Sequence, residues 1–253
     1  MCSHSKMQTL KNPLCIESAN WSFKTMERSV IILTHDSSKK FEEDKGLMKL
    51  NNKPLLDYVL EAIQGIAEEV IIVTNSKEQE KLYTKLFSPN IRFVRDADES
   101  KGLLGAALTG FEAAEGKYSL LLPFDSPLVS PDVLTLLFDC AGGKSAVVAR
   151  SPDCEVEALH AVYNTKMALE AAKETLACGE FGLEAMIERL RGIRYMSTLV
   201  IEQLDPDFKT FFRIITPLDL KKAVVMLKPK VLTSKKGAAK AAKMRIRRPK
   251  KHS

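Results

Sequence analysis

The sequence predicts an α/β domain built on a parallel sheet, and three observations carry that expectation. Short apolar runs rich in β-branched residues alternate with longer amphipathic segments, the pattern of buried strands joined by crossover helices. The chain has 253 residues, 45% hydrophobic and 28% charged, enough for one sizeable core. Finally, no apolar run approaches the ~18 residues of a membrane span, and the first 25 residues lack the apolar core of a secretory signal, so no membrane partner is expected.

The elements follow in order. "SVIIL" precedes "PLLDYVLEAIQGI", "EVIIVT" precedes "EQEKLYTKLF", "IRFVRD" precedes "LLGAALTGFEAA", and "YSLLLPFD" precedes "SPDVLTLLFDCA". Each pair is a strand and its helix, and a sheet of this kind binds ligands at the carboxyl ends of its strands. The second half is more mixed: "SAVVAR" and "ALHAVY" are read as strands, "KMALEAAKETLA" and "GLEAMIERL" as helices, and "IRYMSTL" and "FFRII" as two further strands. A last helix starts at "TPLDL", with Thr216 as N-cap, Pro217 at the first helical position and Asp219 in the first turn.

Charge divides the chain. Lys228 to Ser253 holds 11 of the 38 Lys and Arg residues and no Asp or Glu, which leaves 27 basic against 32 acidic residues before it. A basic tail over 228–253 on an acidic body is expected to be disordered when free, with weak polyanion contact or a solubilising role as its two readings. Residues 1–25 show no periodicity and are expected to be a poorly ordered extension, which leaves 26–227 as the domain. The five cysteines are scattered and include no C-x-x-C pair, which fits reduced thiols, a cytoplasmic location and no cysteine metal site.

Several polar residues fall where such a sheet presents ligands. Lys45 follows the first strand after a polar turn, where backbone N–H groups and an ammonium meet an anion; a solvent-exposed loop with a capping Asp44 is the other reading. Asp125 directly follows a buried strand and suits a hard cation such as Mg²⁺, or else caps a turn. Asp96 closes another strand on the same edge, as a ligand contact or a turn. His160 lies in an alternating strand pattern and is read as structural. His35 beside Asp36 is no base pair on adjacency alone.

Four partial motifs in one order resemble the MobA-like molybdenum cofactor guanylyltransferase branch of the nucleotidyltransferases, over about Glu27 to Leu227. They are "LTHDSSKKFEEDK", "GLLGAALTGF", "PFDSP" and "FFRIITPLDL". The resemblance implies a three-layer Rossmann-like, glycosyltransferase-A-like fold with a mostly parallel mixed central sheet. It implies Leu33 and Asp96 near the guanine base and Thr74 after the second strand. It implies Asp36, Ser38, Lys40 and Lys45 along the nucleotide, with Mg²⁺ on Asp125 and Lys45 and Asp125 as the catalytic pair. The implied reaction is Mg²⁺-dependent guanylyl transfer from GTP, or another nucleoside triphosphate, to a phosphorylated small-molecule acceptor such as molybdopterin. The alternatives are transfer to another phosphorylated acceptor and a non-catalytic or altered-specificity paralogue that binds a nucleotide or a protein.

The sequence departs from the family pattern at defined places. His35, Asp36 and Glu42 stand where the loop has glycines, Lys40 where it has Arg, and Arg213 and Ile215 where the last motif has two Asn. Glycine lets backbone approach a phosphate closely, and these side chains do not.

Overall fold

The computed structural model describes residues 27–35, 44–96 and 98–227. The expected N-terminal extension, the basic tail, and Asp36, Ser38 and Lys40 lie outside the described residues.

A seven-stranded sheet forms the middle layer, made of β1 (Arg28–Leu33), β4 (Glu69–Thr74), β5 (Ile91–Arg95), β6 (Tyr118–Pro123), β7 (Ala146–Arg150), β8 (Val156–Asn164) and β9 (Arg194–Ser197). Its order is β5-β4-β1-β6-β8-β7-β9. The first four run parallel, β8 lies antiparallel between β6 and β7, and β9 returns parallel to β7. The mixed, mostly parallel sheet agrees with the expected fold class.

Period-two alternation fixes the two faces. Val30, Ile32, Ile72, Leu120 and Leu122 pack under α1 (Leu55–Ala62), α2 (Lys77–Leu86) and α4 (Pro131–Asp139). Ile31, Leu33, Ile71, Val73 and Leu121 pack under α3 (Gly102–Ala113), α5 (Thr165–Ala177) and α6 (Leu183–Arg189). Both faces are covered, so the central strands carry unbroken apolar runs, Val30–Leu33, Val70–Val73 and Leu120–Leu122, as buried parallel strands do. None of the described helices is long and apolar enough to cross a membrane.

Three elements differ from the sequence expectation. A small hairpin, β2 (Lys49–Leu50) and β3 (Lys53–Pro54), turns on Asn51 and Asn52 at φ 51° and 67°. Two adjacent left-handed residues make the tight hairpin turn, and Asn tolerates that region. The segment expected as one strand over "IRYMSTL" ends at Ser197, whose hydroxyl accepts from Leu199 N–H and starts a short helix, α7 (Thr198–Ile201). The segment expected as a strand over "FFRII" is a 3₁₀ turn at Lys209–Phe211 followed by extended chain outside the sheet. There Ile214 is fully buried against Leu50, Leu55 and Ala223 of the last helix, α8 (Pro217–Met226), and its N–H donates to the Asp125 carbonyl at 2.9 Å. Burial beside the strand-end loop wins over strand pairing. Helix α8 itself begins with Thr216 and Asp219 in a reciprocal capping box.

An irregularity in β8 shapes the carboxyl edge of the parallel strands. Val147 pairs with Val162 and Ala149 with Glu157, so β8 bulges between these pairs, and His160 there takes φ 49°. The last described β6–β8 pair is Leu121 with Ala161. The chain beyond, from Leu122 to Ser126, thus has no described ladder pairing with β8, and Asp125 meets residues 213 and 214.

Candidate functional site

The four parallel strands end together, and these ends place the candidate residues on one edge. Leu33 closes β1, paired to Val73 on one side and Pro123 on the other, and its carbonyl accepts from Phe124 N–H at 3.2 Å. Thr74 and Arg95 form the last described β4–β5 pair, so Asn75 and Asp96 leave the sheet side by side. Thr74 itself is buried and donates to the Val94 carbonyl at 3.3 Å, a ladder role rather than an outward one.

Asp125 is 1% exposed and carries two cations. Lys45 Nζ lies 2.8 Å from Oδ2, across 80 residues of sequence. Arg213 brings a fork: Nε donates to Oδ1 at 2.8 Å and Nη2 to Oδ2 at 3.2 Å. Lys45 is 4% exposed and also lies 5.5 Å from the centre of the Phe124 ring, a cation–π distance. The 2.8 Å contact to Asp125 gives this buried amine a carboxylate partner, and a buried charge without one is costly.

The turn that holds Lys45 is built without the glycines expected of a phosphate loop. Asp44 accepts from Tyr83 Oη at 2.6 Å, from Gln79 Nε2 at 2.8 Å and from Gly46 N–H at 2.9 Å. Tyr83 is fully buried, with Phe87 and Phe93 edge-on to its ring. Burial, followed by the Asp44 carboxylate, pushes its phenol pKa upward, so it stays a donor. A Cβ on Gly46 would fall 2.1 Å from the Tyr83 hydroxyl, so glycine is needed here for close approach. The Gly46 carbonyl then accepts from Leu56 N–H at 3.2 Å, tying the turn to α1. Tyr83→Phe is expected to cost about 1–2 kcal/mol, since it removes a hydrogen bond to a carboxylate. Chemical denaturation measures this, and a loss below ~0.5 kcal/mol would mean that the turn holds without it.

Two buried acceptors on this edge, Asn75 Oδ1 and Asp96 Oδ2, have no hydrogen-bond partner among the described residues. The remaining atoms of these side chains are fixed. Asn75 Nδ2 donates to the Thr34 carbonyl at 3.1 Å, and Asp96 Oδ1 accepts from Asp98 N–H at 3.1 Å. Buried acceptors are nearly always hydrogen-bonded in folded proteins, so these two call for a donor such as a water or a ligand N–H. Asn75 was not among the sequence candidates; its signal was its place one residue after Thr74, at the strand end proper.

His160 has the structural place expected of it. It is fully buried, pairs through Nε2 with Ser126 Oγ at 2.9 Å, and meets Phe211 edge-on. Ser126 follows Asp125, so the pair steadies the loop that carries the carboxylate.

Mg²⁺ is the ion that the resemblance implies on Asp125. Magnesium takes a near-octahedral set of oxygens at about 2.1 Å, with one or two carboxylates among them. Asp125 has both oxygens engaged by cations, Oδ1 by Arg213 and Oδ2 by Lys45 and Arg213. As arranged, these residues do not fit a divalent cation. A depression of about 630 Å³ between α1, α2 and β5, lined by Asp57, Leu60, Phe87 and Ile91, shares no residue with this edge.

A parallel sheet whose carboxyl edge gathers a buried lysine, a carboxylate and open hydrogen-bond acceptors is the layout of a nucleotide-handling α/β domain. The MobA-like NTP transferase domain matches residues 30–193, and the chain belongs to that family. It is 30% identical over 209 residues to a probable molybdenum cofactor guanylyltransferase of Methanosarcina mazei, covering 81% of this chain and 93% of the relative. A second, from Methanosarcina acetivorans, is 29% identical over 207 residues, with 79% and 92% covered. Among solved structures, molybdopterin-guanine dinucleotide biosynthesis protein A from Archaeoglobus fulgidus superposes with a TM-score of 0.67 at 22% identity, covering 78% of this chain and 97% of that one. The 4-diphosphocytidyl-2C-methyl-D-erythritol synthase of Anaerococcus prevotii gives 0.61 at 14% identity, with 81% and 98% covered. These two likenesses show the nucleotidyltransferase fold.

Proposed function

We propose that this protein is a cytoplasmic nucleotidyltransferase that moves a guanylyl group from GTP to a phosphorylated acceptor, molybdopterin being the leading candidate. The observation that carries the guanine preference is the pair of open acceptors, Asn75 Oδ1 and Asp96 Oδ2, on adjacent strand ends. Guanine offers two adjacent donors, the ring N1–H and the exocyclic amine, and an acceptor pair suits them. The names of the relatives support the acceptor.

In the reaction, a phosphate oxygen of the acceptor attacks the α-phosphorus of GTP in line. A new P–O bond forms, the bond to the β-phosphate oxygen breaks, and pyrophosphate leaves with the electron pair. In this reading Lys45 and Arg213 neutralise the negative charge of the phosphates, supported by their shared contact with Asp125, which holds both cations. Positioning and charge neutralisation are the main terms in such a transfer.

The test is to incubate the full chain with GTP and molybdopterin and to look for the dinucleotide and pyrophosphate. Turnover with GTP and not ATP supports the reading; nucleotide binding with no product would favour the binding-only paralogue. Asp96→Asn is expected to lower the GTP-over-ATP preference about tenfold or more, because a hydrogen bond to a charged group is worth roughly 1.5–3 kcal/mol. An unchanged preference in calorimetric titration would remove Asp96 from the base site.

A further inference from the structure

The carboxylate that the family pattern assigns to a metal carries an arginine here, and the geometry of that arginine is specific. Nε and Nη2 of Arg213 address the two oxygens of Asp125 separately, at 2.8 and 3.2 Å, the planar fork that lysine cannot make. The next residue, Ile214, is fully buried and donates its N–H to the Asp125 backbone carbonyl at 2.9 Å. Arg213 is therefore held from both main chain and side chain. It remains 30% exposed, and Nη1 donates to none of the described residues. One edge of the guanidinium is spent on Asp125, and the other is open for oxygens.

Charge completes the argument. Among the described residues, Asp125 with Lys45 and Arg213 sums to a single positive charge, the same as one carboxylate with one divalent cation. A metal added to Asp125 would meet two cations already on its oxygens, and like charges a few ångströms apart repel strongly away from bulk water. We propose that Arg213 takes the place of a divalent cation on Asp125, and that Arg213 and Lys45 receive the phosphates of a nucleotide without metal. The phosphate half of this inference rests on the nucleotidyltransferase reading; the displacement of metal from Asp125 does not.

Two measurements on the full chain separate these halves. The first is uptake of Mn²⁺ alone, followed by loss of the free-ion paramagnetic resonance signal. Wild type is expected to take up no more Mn²⁺ than Asp125→Asn. Arg213→Asn should gain a site that the double variant Arg213→Asn with Asp125→Asn lacks. Mn²⁺ uptake by wild type that Asp125→Asn abolishes would overturn the inference.

The second is calorimetric titration with GTP in EDTA and in MgCl₂. Wild type is expected to bind within threefold under both conditions. Arg213→Asn should lose at least tenfold in EDTA and recover with Mg²⁺. Arg213→Lys, which keeps the charge without the fork, should also lose in EDTA, and it carries the test if Arg213→Asn does not fold. GTP binding by wild type only with Mg²⁺ would overturn this inference and leave the nucleotidyltransferase reading standing. No GTP binding under either condition would overturn the nucleotide reading and the phosphate half together, and the Mn²⁺ result alone would then decide what holds Asp125.

Discussion

Asp125→Ala is expected to lower the melting temperature by roughly 6–12 °C, the largest stability effect of any single change at this edge. The reason is what it leaves behind. Lys45 is 4% exposed and Arg213 30% exposed, and both lose the one carboxylate they share. Breaking a buried pair from one side costs about 3–5 kcal/mol, and the partial exposure of Arg213 puts the expectation at the lower end, about 3 kcal/mol. For a domain of this size each kcal/mol moves the midpoint by about 2–4 °C. Asp125→Asn should recover little, because a neutral amide does not offset an ammonium. Adding Lys45→Met to Asp125→Ala should recover part of the loss, because the buried charge goes with its partner. Differential scanning calorimetry of the three variants decides it. A shift under about 2 °C for Asp125→Ala would mean that the cations relax into solvent and that the cluster is not part of the core.

Lys45→Ala is expected to weaken GTP binding at least a hundredfold, which corresponds to about 2.7 kcal/mol. Its stability effect should be smaller than that of Asp125→Ala, because Asp125 keeps its fork to Arg213. The variant thus separates binding from folding. The net charge of the cluster falls from one positive charge to none, and the phosphates lose a donor fixed by the Asp44 turn. Lys45→Arg should restore charge without restoring position, since the longer planar head does not fit a space shaped around an ammonium 2.8 Å from Oδ2. Titration with GTP beside thermal melts of each variant checks this. Affinity within threefold of wild type would take Lys45 out of the nucleotide site.

The expected behaviour of both variants depends on partners that local sequence does not name. Lys45 and Asp125 were legible as candidates because each follows a buried strand, and strand ends on one edge of a parallel sheet converge. Arg213 was visible only as a departure from one of the two asparagines of the last motif, in a segment read as a strand. Its meaning came from the chain leaving the sheet there, with Ile214 buried beside Asp125. Thr74 was named through the resemblance, whereas Asn75 lies one residue beyond the last β4–β5 pair, and one residue moves a side chain from the ladder to the loop that follows it.

The sequence by itself determined the alternation of strands and helices, the two-faced burial of β1, β4 and β6, and the capped start of α8. These are local properties: apolar period, β-branching and capping chemistry act within a few residues of the chain. Only the tertiary structure decided the antiparallel insertion of β8, the bulge at His160, and the hold of Tyr83 and Gln79 on Asp44. It also decided that one carboxylate would carry both Lys45 and Arg213. Pairing of ionised and hydrogen-bonding groups depends on which distant segments share a space once water is excluded, and that is fixed by packing rather than by neighbours in the chain.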